Sequence, residues 1–276
     1  GANGVVIVTT KSGRAGRARV SYDGNVSLGY VSKRLDMLGA ADFIDYRQIV
    51  DPDSPLFWKD SNGDGSYNED DQAVDPYAYP THDWQSEMLR TAVSHNHNLS
   101  MDGGSEKTQF STSLGYTNNQ GIILDNSLQR ITARVRLTNQ SLPRLKLGTN
   151  VNTSYTTFNG VSHSGGDGGT FNGVVQSLVT TRPVEVYIPA WDRAGEYVSP
   201  ISMLQNAYKL TSLMRTNINT TAEYQIMDGL KFNVDLGGYL SSSKGNEFYG
   251  KKTEWGSAVK GSATVSEQRA YYISNP

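Results

Sequence analysis

Along most of the chain, apolar and polar residues take turns one for one. Val20, Tyr22, Val26 and Leu28 are interleaved with Ser21, Asp23, Asn25 and Ser27. Phe110, Thr112, Leu114 and Tyr116 alternate with Gln109, Ser111 and Ser113. Ile131, Ala133, Val135 and Leu137 alternate with Thr132, Arg134 and Arg136. The same rhythm runs through Leu145–Tyr155, Asn217–Ile226 and Lys231–Leu240, and His95–Asp102 and Ala263–Ser274 complete the set. A repeat of two is a strand with two unlike faces. The pattern predicts about eight strands, most on the order of ten residues, the length a tilted strand needs to cross a bilayer core. Soluble strands average nearer five or six.

The predicted connections alternate in length. Residues 31–93, 157–214 and 243–262 are long, 119–127 is moderate, and 103–106, 140–143 and 227–230 are short. Short turns at one end and long loops at the other are the arrangement of outer-membrane barrels. Phe110, Leu114, Tyr116, Val135, Leu147, Val234 and Leu236 are then expected on the outer face. Arg134, Arg136, Lys146 and Asp235 belong on the inner one, because charge on alternate positions is costly in a dry core and tolerable in a wet lumen. The expected fold class is all-β: a partial transmembrane antiparallel barrel with long extracellular loops.

Four stretches inside the long loops have helical spacing. They are "GAADFIDYRQIV" with Phe43, Ile44 and Ile49, "HDWQSEMLRT" with Trp84, Met88 and Leu89, "GTFNGVVQSLVTT", and "SPISMLQNAYK". In the last, Ser199 is the expected N-cap and Pro200 sits in the first turn. Packing of the loops is their expected role.

Composition narrows the reading. The 276 residues contain no Cys, which excludes disulfides and thiolate metal sites. A net charge of −2 gives no argument for nucleic-acid binding. Mean hydropathy is −0.50, and no apolar run approaches the length of a transmembrane helix. Such a composition leaves a β-barrel open, since alternating strands never show a long apolar run.

The first residues, "GANGVVIVTTKSG", read as a turn at Gly1–Gly4 followed by Val5–Thr10, a strand buried on both faces. This stretch, with Thr9-Thr10-Lys11 and the basic link "SGRAGRAR", resembles the end of the plug domain in the SusC/RagA family of TonB-dependent outer-membrane transporters. "DWQSEMLRTAVSHNHNLSMDGGSEKTQFSTSLGYTNNQGII" is similar to a second family block, and "LKLGTNVNTSY" and "DGLKFNVDLGGYLSSSKGNEFY" to two more. The loops at 51–81 and 157–198 carry no such motif.

The resemblance implies residues 1–13 as the end of a plug, 14–19 as a linker and 20–276 as the first part of a larger barrel. It implies a fragment cut at both ends, with most of the plug and a TonB box upstream. The implied function is energised import of an oligosaccharide or peptide across the Gram-negative outer membrane. A SusD-like surface lipoprotein would act as lid and the TonB complex as motor, with lipid around the barrel and no enzymatic step. Two other classes fit parts of the pattern: a non-transporting barrel, and a soluble β-rich calcium-binding module.

One loop carries candidate chemistry. "DSNGDGSYNEDD" fits the twelve-residue calcium loop, with Asp in place of Glu at its end. Asp60, Asn62, Asp64, Ser66 (through its carbonyl), Asn68 and Asp71 would supply oxygens to a structural Ca²⁺, and Gly65 would permit the turn. Its competing reading is a polar loop tip. His95 and His97 share a strand face with Leu99 and Met101, which makes them an interfacial polar pair rather than a metal site, for want of a third ligand. "SGGDGG" (164–169) lacks the Gly-Lys-Ser/Thr of a phosphate cradle. Asn25, Asn98 and Asn219 match the glycosylation pattern but belong to plain strand alternation. No Ser-His-Asp set or HExxH is present.

Overall fold

A computed structural model describes residues 15–160, 174–192, 195–253, 256–257, 259 and 261–274. The strand expected at 5–10 and the Gly-rich stretch 164–169 lie outside these residues. Eight long strands form one antiparallel sheet: β1 (Gly16–Gly29), β4 (Ala92–Gly104), β5 (Thr108–Gln120), β6 (Ser127–Leu142), β7 (Leu145–Asn159), β8 (Ala207–Met227), β9 (Leu230–Tyr249) and β10 (Ser262–Ser274). Their spatial order is their sequence order. The only other sheet among the described residues is a two-stranded clip, β2 (Trp58–Lys59) with β3 (Gln72–Ala73). Among the described residues no helix is long and apolar enough to cross a membrane.

Three turns, at residues 105–107, 143–144 and 228–229, sit at one end of the sheet. The connections 30–91, 121–126, 160–206 and 250–261 sit at the other, as the alternation of lengths predicts. Backbone geometry fixes the tight end. Gly229 follows Asp228 with φ 82°, the Asp-Gly pairing that a two-residue hairpin needs. At Gly104, a Cβ would stand 2.2 Å from the Thr108 carbonyl oxygen.

The strands outrun their predicted bounds. β1 starts at Gly16, inside the expected 14–19 linker, and β8 and β9 run 21 and 20 residues. Ala207–Leu213 lies in an expected loop, its first three residues closing a helical stretch, and Ser243–Tyr249 reads as loop. They are strand because the two segments pair with each other, from Ala207 opposite Tyr249 onward, and Lys209 bonds Glu247 at 2.7 Å across the ladder. Continuous pairing overrides weak local preference.

Register assigns the faces. One row crosses all eight strands: Tyr22, Leu99, Leu114, Ala133, Thr153, Thr216, Leu240 and Tyr271. Phe110, Leu114, Tyr116, Val135, Leu147, Val234 and Leu236 share this side, and nothing described covers it; Leu114 is 58% exposed and Ile273 89%. Arg134, Arg136, Lys146 and Asp235 occupy the opposite side, as expected. The row meets β1 in the middle of its apolar stretch but meets β9 at the upper end of Phe232–Leu240. Hydrogen-bonded rows must climb through a level apolar band in this way when strands are tilted.

The helices lie in the long connections: α1 (Ala40–Val50), α2 (Trp84–Met88), α3 (Val174–Thr180) and α4 (Pro200–Asn206), with a 3₁₀ turn at Pro76–Ala78. Asp83 caps α2 by accepting from the Ser86 N–H, and Ser199 caps α4 by accepting from the Ser202 N–H at 3.0 Å. In α1, Ile44 is buried with Ala40 and Phe43 packed beside it, while Ile49 is 83% exposed, so the helix rests on its first turns rather than on a full stripe. Ile44 packs with Leu56, Phe57, Val184, Val186 and Ile188. Trp84 and Met88 pack with Val174, Leu178 and Leu204. These two clusters, in the loops and not in the sheet, are the dry cores of the described chain.

Met88 is fully buried in the second cluster. Met88→Ala is expected to destabilise the loop cap by about 2–5 kcal/mol. Hydrogen exchange should then quicken in α2, α3 and α4 while the amides of β5 to β7 keep their protection.

Candidate functional site

Two of the concavities built from these elements have charged linings. The first lies on the charged face of the sheet near the short turns. It is a basin of about 590 Å³ bordered by Lys107, Arg136, Lys146, Asn150, Glu223 and Asp235. Period two delivers these residues, since every second position of β5 to β9 points to the same side. Ion pairing orders the strand ends, with Lys231 Nζ 2.8 Å from Glu223. Higher on this face, Arg130 Nε donates to Thr156 Oγ1 at 3.1 Å.

The second concavity, about 650 Å³, lies between the connections 30–91 and 160–206. A clip joins them: Thr81 bridges Val184, the His82 N–H donates to the Pro183 carbonyl, and the Glu185 N–H donates to the Pro80 carbonyl. The Trp84 indole N–H adds a bond to the Arg182 carbonyl at 3.1 Å. Arg182 pairs with Asp192 at 2.5 Å, both side chains being 9% exposed. Arg182 also stands over the rings of Tyr197 and Trp191, and Arg47 stands over Trp191 at 4.5 Å. Burial pushes the Tyr197 phenol well above its usual range, and its hydroxyl donates to the Arg182 carbonyl. The His82 ring stacks on Trp84 and meets Glu87 at 2.9 Å.

The loop Asp60–Asp71 folds on its own oxygens. Asp60 accepts from the N–H groups of Gly63 and Gly65, Asn62 from Asp64, Asp64 from Ser66, and Asn68 from Asp70. Gly63 and Gly65 have φ of 77° and 79°, which these tight turns require. Asp71 returns to the start of the loop and accepts from the Ser61 N–H at 2.9 Å, which lowers its pKa. Among the described residues no three His, Cys, Asp or Glu side chains are grouped to hold a metal ion.

His95 and His97 lie on the outward face in a relay. Tyr22 Oη bonds His97 Nδ1 at 2.6 Å, and His97 Nε2 lies 3.1 Å from His95 Nδ1. Asn118 completes the relay at His95 Nε2. A polar outward pair is what the sequence suggests. The Arg182–Asp192 pair and the loop clip are not legible there, because they join residues with no periodic relation. A charged pair around Trp191 in a motif-free loop is their only trace.

No protein-family model matches the chain. The chain is 27% identical to TonB-dependent receptor P3 of Formosa agariphila over 96% of its own length and 25% of that receptor's. It is 32% identical to TonB-dependent receptor SusC of Bacteroides thetaiotaomicron, over 66% of the chain and 16% of SusC. Its fold is similar to the RagAB peptide importer in the open-open state, with a TM-score of 0.63 at 16% identity, covering 87% of the chain and 30% of the importer chain. The closed-closed state gives the same score over 90% and 31%. The chain thus spans a quarter or less of the two receptors' length and under a third of the importer chain. It is SusC/RagA-like in sequence, and its sheet matches part of such a barrel. The relatives bear the names of receptors, not of enzymes.

The Asp83 cap is pH-sensitive. Hydrogen bonds from the Ser86 side chain and backbone lower the Asp83 pKa. A lowered folded pKa gives stability that is complete above the ordinary carboxylate value of about 4 and lost as pH falls through the folded value. Exchange of the first α2 amides should therefore accelerate below about pH 4. In Asp83→Asn, which still caps but does not titrate, that acceleration should be absent.

Proposed function

We propose that this chain, SusC/RagA-like in sequence and fold, is wall of a TonB-dependent nutrient importer in the Gram-negative outer membrane. Residues 1–13 would be the end of its plug and the remainder the first part of the barrel, joined by a link that is short because β1 starts at Gly16. The cargo would be an oligosaccharide or a peptide, a SusD-like surface lipoprotein would lie over the loop-bearing end, and TonB would supply the work.

The observation that carries this reading is one sheet with two solvents written on its faces. The outward face is apolar across eight strands with no second sheet against it among the described residues, which speaks against a soluble sandwich. On β9 the apolar stretch Phe232–Leu240 is roughly nine residues, which at ~3.3 Å each and ~40° of tilt rises ~23 Å, close to the apolar band of such barrels. The inner face is polar and charged.

The test uses neighbouring positions on opposite faces of the full-length protein in its host. Leu114→Arg puts a cation on the outward face, where the cost is about 2–4 kcal/mol at mid-membrane. It should abolish recovery of the protein in the outer-membrane fraction and growth on its nutrient. Ser113→Arg, one residue away on the inner face, should assemble. Equal assembly of both variants would refute the membrane reading.

A structural Ca²⁺ in the Asp60–Asp71 loop belongs to the same proposal, with Asp60, Asn62, Asp64, Ser66, Asn68 and Asp71 as ligands. Its support is the spacing and the return of Asp71 to the loop's start. Because the carboxylates are not grouped, the ion would have to draw them together in place of their backbone bonds. Calcium titration of the full-length protein should release heat at one site that is lost in Asp60→Asn/Asp64→Asn. A flat titration removes the site.

A further inference from the structure

From the distribution of charge on the inner face, we infer that the importer carries an acidic oligosaccharide, bound at a triangle formed by Arg130, Arg134 and Arg215. The inference rests on the importer reading and names its substrate class. Strands β5, β6 and β7 contain no Asp or Glu at all, yet they hold Arg130, Arg134, Arg136 and Lys146 on the inner face. Arg215 faces the same way from β8, opposite Ser154 of β7.

Register places the triangle. Arg130 lies opposite Thr156, Thr132 opposite Ser154, and Arg134 opposite Asn152. Arg215 therefore stands level with Thr132, midway between the two β6 arginines and two strands across. Four residues along a strand cover about 13 Å, and two strand spacings roughly 10 Å. The three guanidinium groups thus stand within reach of one ligand, on side chains long enough to converge. Between them, β7 presents Asn152 and Ser154, while Thr156 is buried and accepts from Arg130 Nε.

Those residue types select the ligand. Guanidinium groups take carboxylate or sulfate in paired hydrogen bonds. Asn, Ser and Thr donate to and accept from hydroxyls. One row further down the sheet from Arg215, Asn152 and Asn217 lead to Tyr239, stacked on Tyr272 with ring centroids 4.7 Å apart. An extended peptide would want an apolar pocket for every alternate side chain, whereas the panel's apolar members are Leu213, level with Arg130, and the Tyr239–Tyr272 pair. A chain bearing hydroxyls on every unit and acids at intervals satisfies the polar members.

The experiment uses the full-length transporter in detergent and measures binding of hexagalacturonate, with maltohexaose as the neutral chain and hexaglutamate as the acidic peptide. Hexagalacturonate should bind in a salt-sensitive way, at least ten-fold more weakly in Arg134→Gln/Arg215→Gln, with partial recovery in Arg134→Lys/Arg215→Lys. Maltohexaose should bind far more weakly and without regard to the substitutions. Absence of hexagalacturonate binding, or binding indifferent to both arginines, overturns the inference. Equal or tighter arginine-dependent binding of hexaglutamate overturns it in favour of acidic peptides. If the Gln variant instead leaks large antibiotics into the cell while binding is unchanged, the arginines hold the plug. Growth separates the two levels. If deleting the gene costs growth on a neutral glycan or peptide that the Gln variant still uses, the importer stands without this site. If deletion costs growth on no polymeric nutrient, the importer reading falls as well.

Discussion

Everything in this chain hangs on strand register. Side chains alternate with a period of two, so a slip of one residue in any ladder would exchange the faces. Arg134 and Arg136 would then face outward and Val135 inward. The ladder from Ala207–Tyr249 to Met227–Leu230 is held in place at its lower end by the Asp228-Gly229 turn and along its length by unlike faces. The sheet needs no dry core of its own. In the proposed membrane setting its apolar side would be satisfied by lipid and its polar side by water, and packing against other protein is left to the loops.

The loops solve the opposite problem. They carry backbone that no ladder pairs, and they must bury enough apolar surface to stay folded. They do so in two small clusters seeded by Ile44 with Leu56 and by Met88 with Trp84. The Arg182–Asp192 pair is buried beside them, where each charge is costly unless the other stays in place. That pair specifies one arrangement of the third connection more than it stabilises it.

The contrast explains what could be read in the sequence. The strands, their faces, the short turns and the helical stretches are all local patterns, and they were legible: Ser199 caps α4 as its residue type suggests. The ends of β8 and β9 were not, because Ser243–Gly245 gains its structure from a partner strand. The clip at Thr81 and Val184 was invisible for the same reason on a larger scale. The Asp60–Asp71 loop shows the limit of motif spacing, which specifies turns such as the Asp60 acceptance from Gly65 without specifying that carboxylates meet. The triangle on the inner face needed the register of three strands before its members became neighbours.

The order of the strands also bears on how quickly the chain can assemble. Strands β4 to β7 are joined by short connections, so each can zip onto the last after closing a small loop, and helical or hairpin-like local closure is fast. Two steps differ: β1 must find β4, and β7 must find β8, across connections of 30–91 and 160–206. Loop-closure entropy rises only as the logarithm of length, about 0.6 kcal/mol per doubling, but it must be met before any pairing rewards it. The clip between these same two connections ties both closures together. Whichever long loop folds first preorganises the other, so the slow events of assembly are expected to merge into a single nucleation at the loop-bearing end.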